Sequence, residues 1–240
     1  ANQRGDAAAA RESYLRSLEI REQLGDQAGI AKLVTNLGIV ATGGGDLDQA
    51  RAYLERGASI YSDLGDRRGS SIAATNLAWG SMIGGEPDAA RRYSEQAVAL
   101  AREIGDRFNI AIGQNNLGNA LRLLGEWRAA GDQYAAAVEG YRELDDRWGF
   151  AFLLEDVALL AAGSGQTQDA FRLVGAADAL RAEIGAPREA SLAQDIAAGL
   201  ATARASRDVE TAAGATAEGA SLGLEESVAL ALRVCAQAGA

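Results

Sequence analysis

Asparagine returns at one register of this chain. Asn36, Asn76 and Asn116 stand 40 residues apart, and Asp156 completes the column. Thr35, Thr75 and Asn115 precede them, and Asn119 lies near on the same side. A primary amide holds donors and an acceptor, so a row of them can pair with the N–H and C=O groups of an extended peptide whatever its side chains. Asparagine inside a helix costs roughly 0.7 kcal/mol relative to alanine. Keeping it at three equivalent positions therefore wants a reason. One reason is structural: each amide bonds a carbonyl of a neighbouring helix and fixes the repeat angle. The other is ligand contact. Ile39, Trp79, Met82 and Ile83 are an apolar group that either joins the same surface, with Trp79 as an exposed anchor, or fills the core.

Other chemistry is poorly served. The chain has no histidine, which removes the usual general base, the Ser-His-Asp and Cys-His arrangements and the commonest zinc ligand. Lys32 is the single lysine and is followed by Leu33, so no phosphate-binding loop with its Lys-Ser/Thr ending exists here. Gly43-Gly44-Gly45 follows a helical pattern, not a strand, and reads as a turn. Glu225-Glu226 and Asp145-Asp146 are adjacent in sequence, so their side chains diverge and read as surface charge or helix caps. Cys235 stands alone, which excludes an internal disulfide, fits a reducing compartment and reads as a small hydrophobe. The expectation is a chain with no catalytic residues, metal or cofactor.

Charge narrows the partners. Lys and Arg total 23 against 33 Asp and Glu, a net charge of −10, and an acidic surface repels nucleic-acid backbones. No eighteen-residue apolar run and no signal-peptide pattern are present, so neither a membrane span nor export is expected, and the cytoplasm is the expected location. The expected partner is a protein or an extended peptide; the oligomeric state is left open.

The elements that must hold the asparagines follow from the same 40-residue step. Gly25-Asp26, Gly65-Asp66, Gly105-Asp106 and Asp145-Asp146 keep it, and Gly45, Gly85, Gly125 and Gly165 mark a second boundary midway. Between these marks, apolar and small residues recur at helical spacing: Ala50, Tyr53, Leu54, Gly57, Ile60 and Tyr61 over 47–63, then Ile72, Ala74, Leu77, Ala78 and Met82 over 67–83. Glycine stops each helix in the left-handed conformation, and the aspartate after it caps the next. Pro87 and Pro187 read as first helical positions. No alternating stretch competes as a strand, so the fold class is all-α.

Leu37-Gly38, Gly45, Ala50, Leu54 and Gly57, repeated as Leu117-Gly118, Gly125, Ala130, Tyr134 and Ala137, resemble the tetratricopeptide repeat. The unit is 40 residues where the usual one is 34, similar to kinesin light chains, spindle-orientation adaptors and the sensor arms of large bacterial ATP-dependent regulators. The resemblance implies a right-handed superhelix over 5–186, made of a lone second helix (5–24) and four helix pairs, with a helical cap over 187–240. Eleven or twelve helices are expected, the cap taking 188–205, 207–218 and Leu224 to Ala236. It also implies that first helices line the concave groove. The expected peptide-binding set is then Asn36, Asn76, Asn116, Asn119, Thr75, Asn115, Trp79 and Asp156, as similar asparagine columns serve the kinesin-light-chain and spindle-adaptor relatives.

Three segments, 169–177, 180–187 and 224–232, resemble the carboxy-terminal ending of actinobacterial-type regulators with a P-loop ATPase, including LuxR-type and cyclase-linked ones. The aromatic-rich helix usual there is matched by 207–218, which has no aromatic. A start in mid-repeat without Met reads as a fragment of something larger. The implied role is a sensor or interaction arm of a cytoplasmic signalling ATPase or transcription regulator. A free-standing scaffold or adaptor is the alternative.

Overall fold

A computed structural model describes residues 2–188, 190–205 and 209–239. The described residues form thirteen helices and no strand. After α1 (Asn2–Leu24) come eight helices of 17 residues each: α2 (Gln27–Gly43), α3 (Leu47–Asp63), α4 (Arg67–Ile83), α5 (Pro87–Glu103), α6 (Arg107–Leu123), α7 (Trp127–Glu143), α8 (Arg147–Gly163) and α9 (Thr167–Glu183). Four shorter ones follow: α10 (Ala190–Gly199), α11 (Ala201–Ala205), α12 (Val209–Ala220) and α13 (Leu224–Gln237). The first helices of the pairs are α2, α4, α6 and α8; the second helices are α3, α5, α7 and α9, with α1 in the second-helix register.

The three-residue turns explain the step. Each turn's last helical carbonyls are closed by two backbone bonds, as where Gly45 N–H meets Thr42 O (3.1 Å) and Asp46 N–H meets Ala41 O (3.0 Å). That geometry needs a positive φ at the middle residue, which Gly25, Gly45, Gly65, Gly85, Gly105, Gly125, Gly165 and Gly185 supply. Asp145 takes the same place at φ 52°, the one non-glycine with positive φ among the described residues. Its Cβ is strained there by roughly 1 kcal/mol. Asp145→Gly is expected to raise the melting temperature by a few degrees, read by circular dichroism. The aspartates after the turns cap as expected: Asp26, Asp66 and Asp146 each accept from the N–H three residues on, at 2.9, 2.8 and 2.9 Å.

Contacts divide the helices into two compact units, Ala1–Asn116 and Leu117–Ala240, with the boundary inside α6. In the first unit α1, α2, α3, α4 and α5 stack in succession. Leu18, Ile30, Val34 and Leu37 form a buried cluster there. Gly38 lets α2 approach α3, since a Cβ on it would stand 2.5 Å from Leu54 Cγ. In the second unit the equivalent Gly118 makes room for the fully buried ring of Tyr134, 2.6 Å from where that Cβ would be. The repeats trade volumes at this seam: glycine faces Leu54 and Tyr134, whereas the other copies hold Ala78 with Ser94 and Ala158 with Val174. A second exchange runs nearby, where Gly69 accommodates Tyr61 and Gly149 accommodates Tyr141.

The end of the chain departs from simple stacking. α10 and α11 pack on α8, α12 lies along α9, and α13 turns back across α7, α8 and α9. Gly131 admits the carbonyl of Cys235 against α7, and Gln166 Nε2 donates to Val234 O at 3.1 Å. Of the expected terminal helices, residues 189, 207 and 208 lie outside the described residues. The expected helix over 188–205 is broken at Leu200, which brings the number of helices to thirteen. Pro187 does not start a helix: 186–188 are non-helical, because Arg188 is held by Glu155 and Asp178, both at 2.8 Å.

Candidate functional site

The solvent-facing stripe of a first helix follows from helical spacing, and burial locates it. On α2 it runs through Ala28, Lys32, Asn36 and Ile39; on α4 through Arg68, Ile72, Asn76 and Trp79; on α8 through Trp148, Phe152, Asp156 and Leu159. All of these are exposed or half-buried, whereas Leu37, Gly38, Leu77 and Ala78 beside them are buried. The asparagine column is therefore at the surface of the packing, not inside it. No residue of α2, α4 or α6 is acidic, although the chain carries a charge of −10. The carboxylates sit on the second helices, the turns, α8 and the terminal segment.

Each candidate has its own surroundings. In the first unit Asn36 lines a cleft of about 460 Å³ between α1 and α2, with Tyr14, Ile20, Lys32 and Leu33. Asn76 donates through Nδ2 to Ile72 O at 2.8 Å, a bond to its own helix, and Asn116 is half-buried. Trp79 and Ile39 are 36% exposed and Ile83 49%, so the apolar group lies on the surface, with Met82 half-buried. The column one residue earlier turns inward. Thr35 is buried and bonds Ala31 O at 2.8 Å, half-buried Thr75 bonds Ser71 O at 3.0 Å, and Asn115 is buried.

In the second unit Asn119 and Asp156 meet directly: Asn119 Nδ2 donates to Asp156 Oδ2 at 2.8 Å. The Asn119 carbonyl oxygen accepts from the Tyr134 hydroxyl (3.0 Å) and from Arg122 Nη2 (3.2 Å), and Arg122 Nε reaches the same hydroxyl at 3.3 Å. Burial pushes the Tyr134 phenol far above its ordinary range, with Asp156 adding to the shift, so it stays a neutral donor. Sequence reasoning placed Tyr134 in the packing seam but missed that its hydroxyl emerges beside Asn119. It also missed Arg122 and the pair Trp148 and Phe152, whose centroids are 4.4 Å apart with Trp148 60% exposed. The signal was an aromatic pair one helical turn apart, where the earlier copies hold Ala28 with Lys32, Arg68 with Ile72 and Phe108 with Ile112.

One position of the threonine column is ionic. Glu155 is 2% exposed and takes Arg181 on both oxygens, at 2.6 and 2.9 Å, while Arg188 adds a bond of 2.8 Å. Arg181 also stacks on Phe152, 4.1 Å from its centroid. The Glu155–Arg181 pair is packing, closed to solvent. Cys235 is buried, and burial pushes its thiol up to about 12, so it is a poor nucleophile at neutral pH. No group of three metal-ligating side chains exists among the described residues, and no described helix is long and apolar enough to cross a membrane.

The stack of helix pairs defines an all-α repeat protein of the solenoid class. A tetratricopeptide-repeat family model matches residues 1–63. The fold as a whole is similar to the crystal structure of BtubC (BKLC) from P. vanneervenii, with a TM-score of 0.68 and 20% identity over 95% of this chain and 90% of that chain. No curated protein matches the sequence. Tetratricopeptide repeats generally mediate protein–protein interaction and are typically non-catalytic.

Proposed function

We propose that this chain is a non-catalytic module that binds an extended peptide segment of a partner protein along the exposed stripe of its first helices. The observation that carries this is the stripe itself: amides at Asn36, Asn76 and Asn116, apolar Ile39, Ile72, Trp79 and Ile83 beside them, and no carboxylate on α2, α4 or α6. An acidic protein that keeps α2, α4 and α6 free of acids and furnished with amides and a half-open tryptophan has helix faces suited to a peptide main chain and apolar side chains. Adjacent helices at roughly 8–10 Å against about 3.3 Å per extended residue bring one asparagine to about every third peptide residue. Within the second unit Asp156 stands at the register of the asparagines, an acidic group in place of a neutral one, bonded by Asn119. The resemblance of 169–232 to regulator endings supports a wider role as the sensor or interaction arm of a cytoplasmic bacterial signalling ATPase or transcription regulator.

The test starts from a pull-down with the purified chain, followed by affinity measurement of the recovered partner. Each neutral hydrogen bond lost costs about 0.5–1.5 kcal/mol, so the Asn36→Ala, Asn76→Ala, Asn116→Ala triple variant is expected to bind at least tenfold more weakly with unchanged helicity. Equal affinity would leave the asparagines as structural residues.

A further inference from the structure

The cleft between α1 and α2 has a covered counterpart one repeat on. There α2 lies over α3 and α4. Leu54 and Gly57 are buried beneath Gly38 and Thr35, whereas Tyr14 and Ser17 at the same registers of α1 are half-buried and exposed. Ala73 of α4 is fully enclosed, while its equivalent Leu33 is half-buried, and Ile20 of α1 is 57% exposed. The open cleft, about 460 Å³, therefore continues the packing surface on which each first helix sits.

Two residues lining it specify the helix it fits. Tyr14 stands at the register of Tyr134, three repeats on. The first helix over Tyr134 brings Gly118 against the ring and Asn119 beside it. The Asn119 carbonyl oxygen accepts from the Tyr134 hydroxyl at 3.0 Å, and its Nδ2 donates to Asp156 at 2.8 Å. Asn36 stands at the register of Asp156 and lines the cleft with Tyr14, so both partners of such an amide face the same space. Arg21 stands at the register of Arg181, four repeats on. Arg181 turns Nη1 to the Ala186 carbonyl and gives Nε and Nη2 to Glu155, on the first helix over it. Arg21 likewise turns Nη1 to Asp26, at the register of Ala186. Its Nε and Nη2 meet no carboxylate among the described residues.

We propose that the α1–α2 cleft docks an amphipathic helix of a partner protein that carries Glu-x-x-Gly-Asn. The spacing follows from the chain's own first helices: Glu155 lies three residues before the register of Gly118, and Asn119 comes directly after it. The glutamate takes Nε and Nη2 of Arg21 as a paired, charge-assisted contact. The glycine lies on the Tyr14 ring, where a side chain is excluded; a Cβ on Gly118 would stand 2.6 Å from the Tyr134 ring. The asparagine accepts from the Tyr14 hydroxyl and donates to the Asn36 carbonyl oxygen. No stretch of the 240 residues reads Glu-x-x-Gly-Asn, so neither this chain nor a second copy supplies the motif. The cleft shares only Asn36 with the amide row, and the docking of a helix there does not depend on that row.

The experiment uses the full chain and a fluorescein-labelled 17-residue peptide of the α6 sequence, Arg107–Leu123, with Asn115→Glu, read by fluorescence anisotropy. One companion peptide carries glutamine in place of that glutamate; another keeps the glutamate and adds Gly118→Leu. The Glu peptide is expected to bind at least about tenfold more tightly than the Gln peptide, and the Leu peptide not to bind where the Glu peptide saturates. Arg21→Gln in the chain should erase the Glu-over-Gln difference, and Arg21→Lys should keep part of it. Tyr14→Phe, which keeps the ring, should weaken the Glu peptide severalfold with unchanged circular dichroism. Equal binding of the Glu and Gln peptides, a difference that survives Arg21→Gln, tolerance of the leucine, or no binding at millimolar peptide would each overturn the site. A dimer of the chain in analytical ultracentrifugation that Tyr14→Glu dissociates would overturn it too, since a second copy would then fill the cleft. Peptide binding lost in Asn76→Ala but kept in Arg21→Gln would move the peptide to the amide row and equally overturn the site. Partner affinity unchanged by the triple asparagine substitution sinks the amide-row reading, while the Glu-over-Gln contrast decides the cleft separately.

Discussion

Glu155→Ala is expected to destabilise the second unit by about 3–5 kcal/mol, the usual cost of stranding one member of a buried ion pair. The pair is almost fully enclosed: the side chain of Glu155 is 2% exposed and that of Arg181 5%. Removing the carboxylate leaves the Arg181 guanidinium with only the Ala186 carbonyl (3.2 Å) and the Phe152 ring. It also frees Arg188 from its bond to α8 and with it the non-helical 186–188 that leads to α10. For a chain of this size the expected fall in melting temperature is roughly 6–20 °C. Replacing Glu155 and Arg181 together by leucine and methionine should recover most of the loss, because a buried pair is about as stable as well-packed apolar residues of similar volume. Thermal unfolding of the single and double variants distinguishes this from mere loss of contact area, which would make the double variant the worse of the two.

The second large effect is expected where α12 crosses α9. A Cβ on Gly175 would fall on the Thr216 carbonyl and 2.9 Å from Ala220 N, and one on Gly219 would fall on the Arg172 carbonyl. Backbone faces backbone there, so no side-chain rotation relieves the clash. Gly175→Ala and Gly219→Ala should each cost about 1–3 kcal/mol by overpacking and lift α12 from its seat. Gly214 lies on the same helix with nothing within 4 Å of its Cβ position. Gly214→Ala should therefore stabilise by roughly 0.5–1 kcal/mol through helix propensity alone. Opposite signs within one helix, read by thermal melts and by amide exchange of α12, are the expected outcome; three substitutions of the same sign would contradict the crossing.

The repeat made most of the helices legible. A glycine every 20 residues, replaced by Asp145 in one turn, and an aspartate after five of the nine turns state where each helix stops and the next begins, and α2 to α9 obey them to the residue. The place of the asparagines on the exposed stripe was legible too, because Leu37-Gly38 and its copies define the buried side. What was hidden depends on partners far away in sequence. Glu155 reads as a decayed threonine position until Arg181 and Arg188 are seen around it. Tyr134 reads as bulk in the seam, and only the missing Cβ of Gly118 lets its hydroxyl reach Asn119. Past Gly185 the step is lost, so the return of α13 onto α7 had no pattern to announce it. The Gly131 gap that admits Cys235 O looks like any other small residue of a helical face.

The central claim is that the first helices, not the second, receive the partner. Hydrogen–deuterium exchange of the chain with and without the partner recovered by pull-down tests it most directly. Added protection is expected in peptides covering α2, α4, α6 and α8, strongest around Asn76 and Trp79, with exchange in α3, α5 and α7 unchanged. Protection confined to α3, α5 and α7 would contradict it.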